Sequence, residues 1–165
     1  MRATKTAERD AAFTEFVAAR QAHLRRVAYA ICGDRHLAED LLQTAFTKLY
    51  VAWPRIRQQG TEEAYVRQIL VRSHIDRSRR ASSRELVGVE DWDQAAADGT
   101  PYEERSALFD ALQALPEMQR KVVVLRHWLG LSVREAAHEL GISEGTVKSH
   151  SHRGLTALEG ALAAR

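Results

Sequence analysis

The chain has 165 residues, enough for one domain of average size or two small ones. Apolar residues make up 45% and charged ones 28%, the balance of a soluble globular protein, and the longest uncharged apolar run, residues 27–32, is far too short to span a bilayer. The formal net charge of +2 hides an asymmetry: residues 65–84 carry six arginines against Asp76, a net of +5, and residues 85–110 carry eight acids against Arg105, a net of −7.

In chain order, residues 1–11 hold Arg2, Lys5, Glu8, Arg9 and Asp10 without a signal-peptide core, so they are expected to be disordered and the chain to stay in the cytoplasm. Phe13, Phe16, Val17, Leu24, Val27, Ala28 and Ile31 recur at helical steps and predict a first long helix, broken at Gly33-Asp34. Leu37, Leu41, Ala45, Leu49 and Trp53 predict a second, stopped at Pro54, with a polar loop over 56–63. Tyr65, Val66, Ile69 and Leu70 begin a third that runs into the arginine block; Trp53 and Tyr65 are the expected large core fillers. Residues 81–103 read as a linker, rich in Ser, Ala, Asp and Gly, in which Trp92 could dock and Leu86, Val87 and Val89 could form a short turn. A basic block beside an acidic one suggests a polyanion-binding face next to a solvated tether.

A second unit spans 104–163. Leu108, Ala111, Leu112 and Leu115 precede a break at Pro116, and Met118, Val122, Leu125 and Leu129 follow it. The run 122–125 could pass for a strand, but Pro116-Glu117 before it and Gly130 after it fit a helix better. In residues 131–155, Ser132 with Glu135 forms a capping box, Gly141 suits a left-handed helix end, and Ser143 caps a second helix. That helix carries Thr146, Lys148, Ser149, His150, His152 and Arg153 around buried Val147 and Leu155. A helix led by small polar groups and followed by cations suits a major groove; the plainer alternative is a helical hairpin with solvated cations. The expected fold is therefore all-α, with two small helical domains, residues 12–80 and 104–163, on a flexible acidic linker.

Cys32 is the lone cysteine and reads as a small core residue. His150 and His152 lie two apart, on different sides of a helix, so no metal site is expected, and His23, His36, His74, His127 and His138 read as structural. No phosphate-cradling glycine loop or nucleophile elbow points to an enzyme, and no cofactor is called for.

The order of parts resembles an extracytoplasmic-function sigma factor of bacterial RNA polymerase, in particular the actinobacterial SigE-like group. The resemblance rests on Ala38-Glu39-Asp40-Leu41-Leu42-Gln43-Thr44-Ala45-Phe46, on residues 64–80, on Ala114-Leu115-Pro116 with Gln119-Arg120, and on Gly145-Thr146-Val147-Lys148-Ser149. It implies that Asp40, Gln43 and Lys48 dock on the clamp helices of the largest polymerase subunit, and that the C-terminal domain meets the flap of the second-largest. It implies minus-10 contacts for Arg67, Arg72, Arg77, Arg79 and Arg80, beside a flipped-base pocket built from residues 58–63. It implies minus-35 contacts for Lys148, Ser149, His150, His152 and Arg153, with Thr146, Arg126 and Arg134 adding contacts to the DNA backbone. Thr44, Gln68, Arg72 and His150 depart from the commoner residues at those positions. Promoter DNA, core polymerase and an anti-sigma factor are the partners implied. A LuxR-type regulator and a sigma mimic that sequesters an anti-sigma partner are the competing readings. The first requires a sensory or receiver domain that residues 1–100 do not suggest, and the second predicts loss of cations that are retained.

Overall fold

The computed structural model describes residues 1–86 and 107–164, and every regular element in them is helical. The order is α1 (Arg2–Cys32), α2 (Arg35–Gln59), α3 (Glu62–Leu86), α4 (Ala107–Gln113), α5 (Glu117–Val123), a π-helical turn (Val124–Trp128), α6 (Val133–Leu140) and α7 (Glu144–Ala163). The expected docking of Trp92 and the turn at Val87 and Val89 lie outside the described residues.

The N-terminal lobe is a bundle of α1, α2 and α3 around Leu24, Leu42, Leu49, Trp53, Ile56, Val66 and Leu70. Trp53 is 3% exposed and meets Phe13 and Phe16 with ring centroids 5.3 and 5.5 Å away. Tyr65 is half-buried against the same cluster. Gly33, at φ 72°, ends α1, and Asp34 caps α2 by accepting from the Leu37 amide.

Four expectations are corrected here. Helix α2 does not stop at Pro54 but runs through it to Gln59. A proline inside a helix leaves the carbonyl four residues earlier without its amide partner; here that carbonyl belongs to Tyr50, and it accepts from Arg9 Nη2 at 2.6 Å. The same contact explains why residues 1–11 are helical rather than disordered. Arg9 also lies 4.5 Å over the Tyr50 ring, and the Tyr50 hydroxyl donates to Asp10 at 2.8 Å, pinning the start of α1 to α2. The loop expected over 56–63 shrinks to Gly60 and Thr61: Ile56 is buried, and Glu63 pairs from α3 with Arg20 and His23 of α1. Helix α3 in turn continues to Leu86, into the segment expected as linker.

The C-terminal lobe stacks α4 to α7, and residues 122–125 are helical, not extended. The two lobes are not separate bodies in this structure. Val27, Ala30 and Ile31 of α1 and Val71 of α3 share one apolar cluster with Leu112, Leu115, Val122, Val124, Leu131, Leu140 and Val147. This joint core was not legible as a sequence pattern, because each contributing stripe also serves its own lobe.

Candidate nucleic-acid interface

The helix-turn-helix is built as its sequence dictates. Ser132 Oγ accepts from the Glu135 amide at 3.1 Å while Glu135 Oε2 accepts from the Ser132 amide at 2.6 Å, completing the capping box. These hydrogen bonds hold the exposed Glu135 carboxyl below its ordinary range. Gly141 ends α6 at φ 65°, and Ser143 Oγ accepts from the Thr146 amide to open α7. The Thr146 hydroxyl is drawn into the same cap, 2.7 Å from Ser143 Oγ.

Helix α7 buries Val147, Gly154 and Leu158, one stripe along its length. Lys148, Ser149, His152 and Arg153 are exposed and fall within a common arc away from that stripe. Gly154 is what lets α7 lie so near α5: a Cβ there would come within 2.6 Å of Val123 Cγ2 and 3.6 Å of the Gln119 carbonyl oxygen. Two sequence-predicted contacts are placed differently. His150 is half-buried, with Nδ1 shielded and lacking a hydrogen-bond partner. Arg126 donates from Nη1 to the Leu131 carbonyl at 2.5 Å and so braces the entry to α6. Arg134 stands exposed on α6.

The π-helical turn re-aims the residues before the motif. Its wide loop closes through the Leu129 amide to Val124 O at 3.0 Å, and His127 Nε2 meets Ser151 Oγ of α7 at 2.8 Å. Burial and then the Arg126 charge hold the His127 imidazole below its usual pKa. Sequence reasoning passed over His127 as merely structural; nothing local marks it, because its partner is 24 residues away.

On α3, Arg72, Arg77, Arg79 and Arg80 are exposed, whereas Arg67 is half-buried with Nε shielded and unpartnered. The arginines wrap the helix: Arg72 and Arg79 share one column, and Arg77 and Arg80 another. A polar cleft of about 630 Å³ between α2 and α3 is bordered by Thr44, Lys48, Asp76, Arg77 and Arg80. It brings part of the arginine block next to Lys48, which stands with Asp40 and Gln43 on the solvent side of α2. The flipped-base pocket expected at 58–63 has no loop of that length to form it, only the Gly60-Thr61 turn. Among the described residues no group of three or more potential ligands could hold a metal ion.

Comparison with known proteins follows the same division. The family model for Sigma-70 region 2 matches residues 16–84, and that for Sigma-70, region 4 matches residues 105–158. The chain belongs to the sigma-70 family, among its extracytoplasmic-function members. It is 39% identical over 155 residues to the RNA polymerase sigma-E factor of Streptomyces coelicolor, covering 93% of this chain and 87% of that protein. It is 30% identical to the ECF RNA polymerase sigma factor SigM of Mycobacterium tuberculosis, covering 86% and 72%. Among solved structures, CnrH in complex with the cytosolic domain of CnrY superposes with a TM-score of 0.58 at 25% identity, covering 94% of this chain and 90% of that one. The sigma factor RpoE in complex with the anti-sigma factor NepR, from Bartonella quintana, has the same fold at 24% identity and a TM-score of 0.64, covering 91% and 96%. This sigma factor therefore pairs a region 2 lobe with a region 4 lobe, and the match over 16–84 occupies the place where a LuxR-type regulator would need its sensory domain.

Proposed function

We propose that this sigma factor confers promoter recognition on core RNA polymerase, with region 2 taking the minus-10 element and region 4 the minus-35 element. The carrying observation is the order of the two matched regions on one chain, together with a capped α7 that leaves Lys148, Ser149, His152 and Arg153 exposed on one arc. In this reading those four side chains reach base edges and phosphates in a major groove, where cations favour phosphates and purine acceptors. Arg72, Arg77, Arg79 and Arg80 track the phosphates of the parted strand, and Arg67 joins them when its surroundings open. Asp40, Gln43 and Lys48 supply the polymerase contact on α2. Arg126 and His150 act from behind, bracing the helix-turn-helix, while Thr146 and Arg134 lie at its margin.

The chemistry of phosphoryl transfer stays with the polymerase in this scheme. The polymerase partner places the protein in the cytoplasm, and no described helix is long and apolar enough to cross a membrane. The test is reconstitution with sigma-free core polymerase followed by genome-wide mapping of transcription start sites. Starts that depend on the protein and share upstream motifs are expected, and Lys148→Ala with Arg153→Ala should abolish those that need the upstream element. The absence of any dependent start refutes the reading.

A further inference from the structure

The first turns of α1 and the end of α2 border an open cleft of about 480 Å³, whose lining includes Lys5, Glu8, Arg9, Trp53, Arg57 and Gln58. Two of these side chains hold donors with nothing to donate to. Trp53 is 3% exposed, yet its indole Nε1 has no hydrogen-bond partner. Arg9 Nε is likewise shielded and unpartnered, although Nη2 of the same side chain reaches the Tyr50 carbonyl. A buried N–H without an acceptor costs the fold stability, and a ligand that brings an acceptor recovers it. The Arg57 guanidinium lies 5.8 Å over the Trp53 ring, and neither Arg57 nor Lys5 has an acidic partner among the described residues.

Charge selects the ligand. Among the lining residues Lys5, Arg9 and Arg57 stand against Glu8 alone, which leaves two positive charges uncompensated. A phosphate monoester carries about −1.5 to −2 at pH 7 and offers three acceptor oxygens, whereas a carboxylate or a strand diester brings a single charge. An arginine fork matches phosphate oxygens in pairs. The cleft also has room for more than the ion and falls in the size range of small-molecule sites. We propose that it binds the terminal phosphate of a small phosphorylated metabolite of nucleotide size. Arg57 and Lys5 close on the phosphate, and its oxygens accept from Trp53 Nε1 and Arg9 Nε. Lys5, Glu8, Arg57 and Gln58 are exposed, so the groups that an entering ligand shifts are free to move. Occupancy ties the first turns of α1 to the end of α2, just before the Gly60-Thr61 turn that leads into α3.

Indole proton–nitrogen spectra of the full chain, labelled at its tryptophans, read the site directly once Trp92→Phe and Trp128→Phe have assigned the three signals. Inorganic phosphate, added at constant ionic strength, should move the Trp53 signal downfield and saturate below about 5 mM, while the Trp92 and Trp128 signals stay in place. Adenosine monophosphate should bind at least as tightly, because the cleft has room beyond the ion. Arg57→Gln should weaken phosphate binding about tenfold and Lys5→Gln about threefold, whereas Glu8→Gln, which removes the one opposing charge, should tighten it about threefold. A damaged fold does not raise affinity, so Glu8→Gln keeps the test decisive if Arg57→Gln disturbs the surroundings of Trp53. The proposal is overturned by a Trp53 signal that does not saturate, by equal movement of all three indoles, or by acetate binding as tightly as phosphate. Weaker binding of adenosine monophosphate, a response only to a short single strand without terminal phosphates, or affinities unchanged in the three variants overturn it equally. The titration involves neither polymerase nor promoter, so its failure and that of the sigma-factor reading are separate results.

Discussion

Replacing either partner of the Glu117–Lys121 pair should have unequal consequences. Lys121 is 1% exposed, one of the most enclosed side chains in the protein, whereas the Glu117 side chain is 46% exposed. Removing the acid strands an ammonium in an apolar cluster, but removing the lysine leaves a carboxylate that water reaches. Loss of one partner from a buried pair costs about 3–5 kcal/mol, and replacing the buried charge by an apolar side chain of similar size is often neutral or stabilising. Solvent access to Glu117 weakens the pair, so the lower end, about 3 kcal/mol, applies to Glu117→Ala. Lys121→Met should stay within about 1 kcal/mol of the parent, because methionine follows the lysine stem without its charge. At about 2–4 °C per kcal/mol for a chain of this size, Glu117→Ala should lower the thermal midpoint by roughly 6–12 °C. Circular dichroism melts at pH 7 on both variants and the double variant give the answer. The double should match Lys121→Met alone. Equal damage from the two single changes would refute the argument that one charge is buried and the other is not.

Acidification should loosen the protein through His74, whose pKa is lowered to about 4 by burial and then by the Lys121 charge. An unfolded histidine near 6.5 takes up its proton first, so this stability is complete above pH 6.5 and is lost as pH falls toward 4, up to about 3 kcal/mol. Burial pushes the Glu117 carboxyl up, but Lys121, Ser78 and His74 leave it below its ordinary range, so it adds to the loss at lower pH; Glu139, raised by burial against the pull of Arg67 and Arg72, opposes it. Urea midpoints between pH 7.5 and 5 should fall, less steeply in His74→Gln, and an identical slope in that variant would assign the effect elsewhere. Gly154→Ala should destabilise by about 1–3 kcal/mol through the Val123 clash, offset by about 1 kcal/mol of helix propensity. In a Val123→Ala background the clash is gone and the same change should be neutral or stabilising; equal effects in both backgrounds would rule the contact out. Removing Lys148 and Arg153 together should flatten the dependence of log affinity on log salt, measured with a promoter duplex and holoenzyme, by about 0.9 per lost phosphate contact. An unchanged slope would mean that neither side chain meets a phosphate.

The parts legible in the sequence are those whose cause is local. Ser132 and Glu135 stand three residues apart, as do Ser143 and Thr146, and each pair forms the cap that its spacing predicts. Gly33 and Gly141 end helices because their backbone turns left-handed. What escaped the sequence depends on partners far along the chain. Pro54 looks like a stop until Arg9, 41 residues from Tyr50, supplies the missing donor. Arg120 belongs to a recognisable motif, but its bond to Ile31 spans 89 residues and has no periodic trace. Lys121 follows Gln119 and Arg120 in the chain, with nothing local to set it apart from them, and only the packing of α5 against its neighbours reveals that it is enclosed. The exposed side chains of α7 were legible as a set because helical geometry fixes their arc, whereas the inward turn of His150 depends on how the lobe closes.

The tie between Arg9 and the Tyr50 carbonyl bears on how this protein is prepared at the bench. A shortened version starting at Phe13, the first clear core residue, would look tidy on a plasmid map. It would discard the guanidinium that completes the second helix at its proline and the carboxylate that steadies the Tyr50 ring. Trimmed preparations would then bend differently near Trp53, and a weakened grip on polymerase could be blamed on the wrong residues.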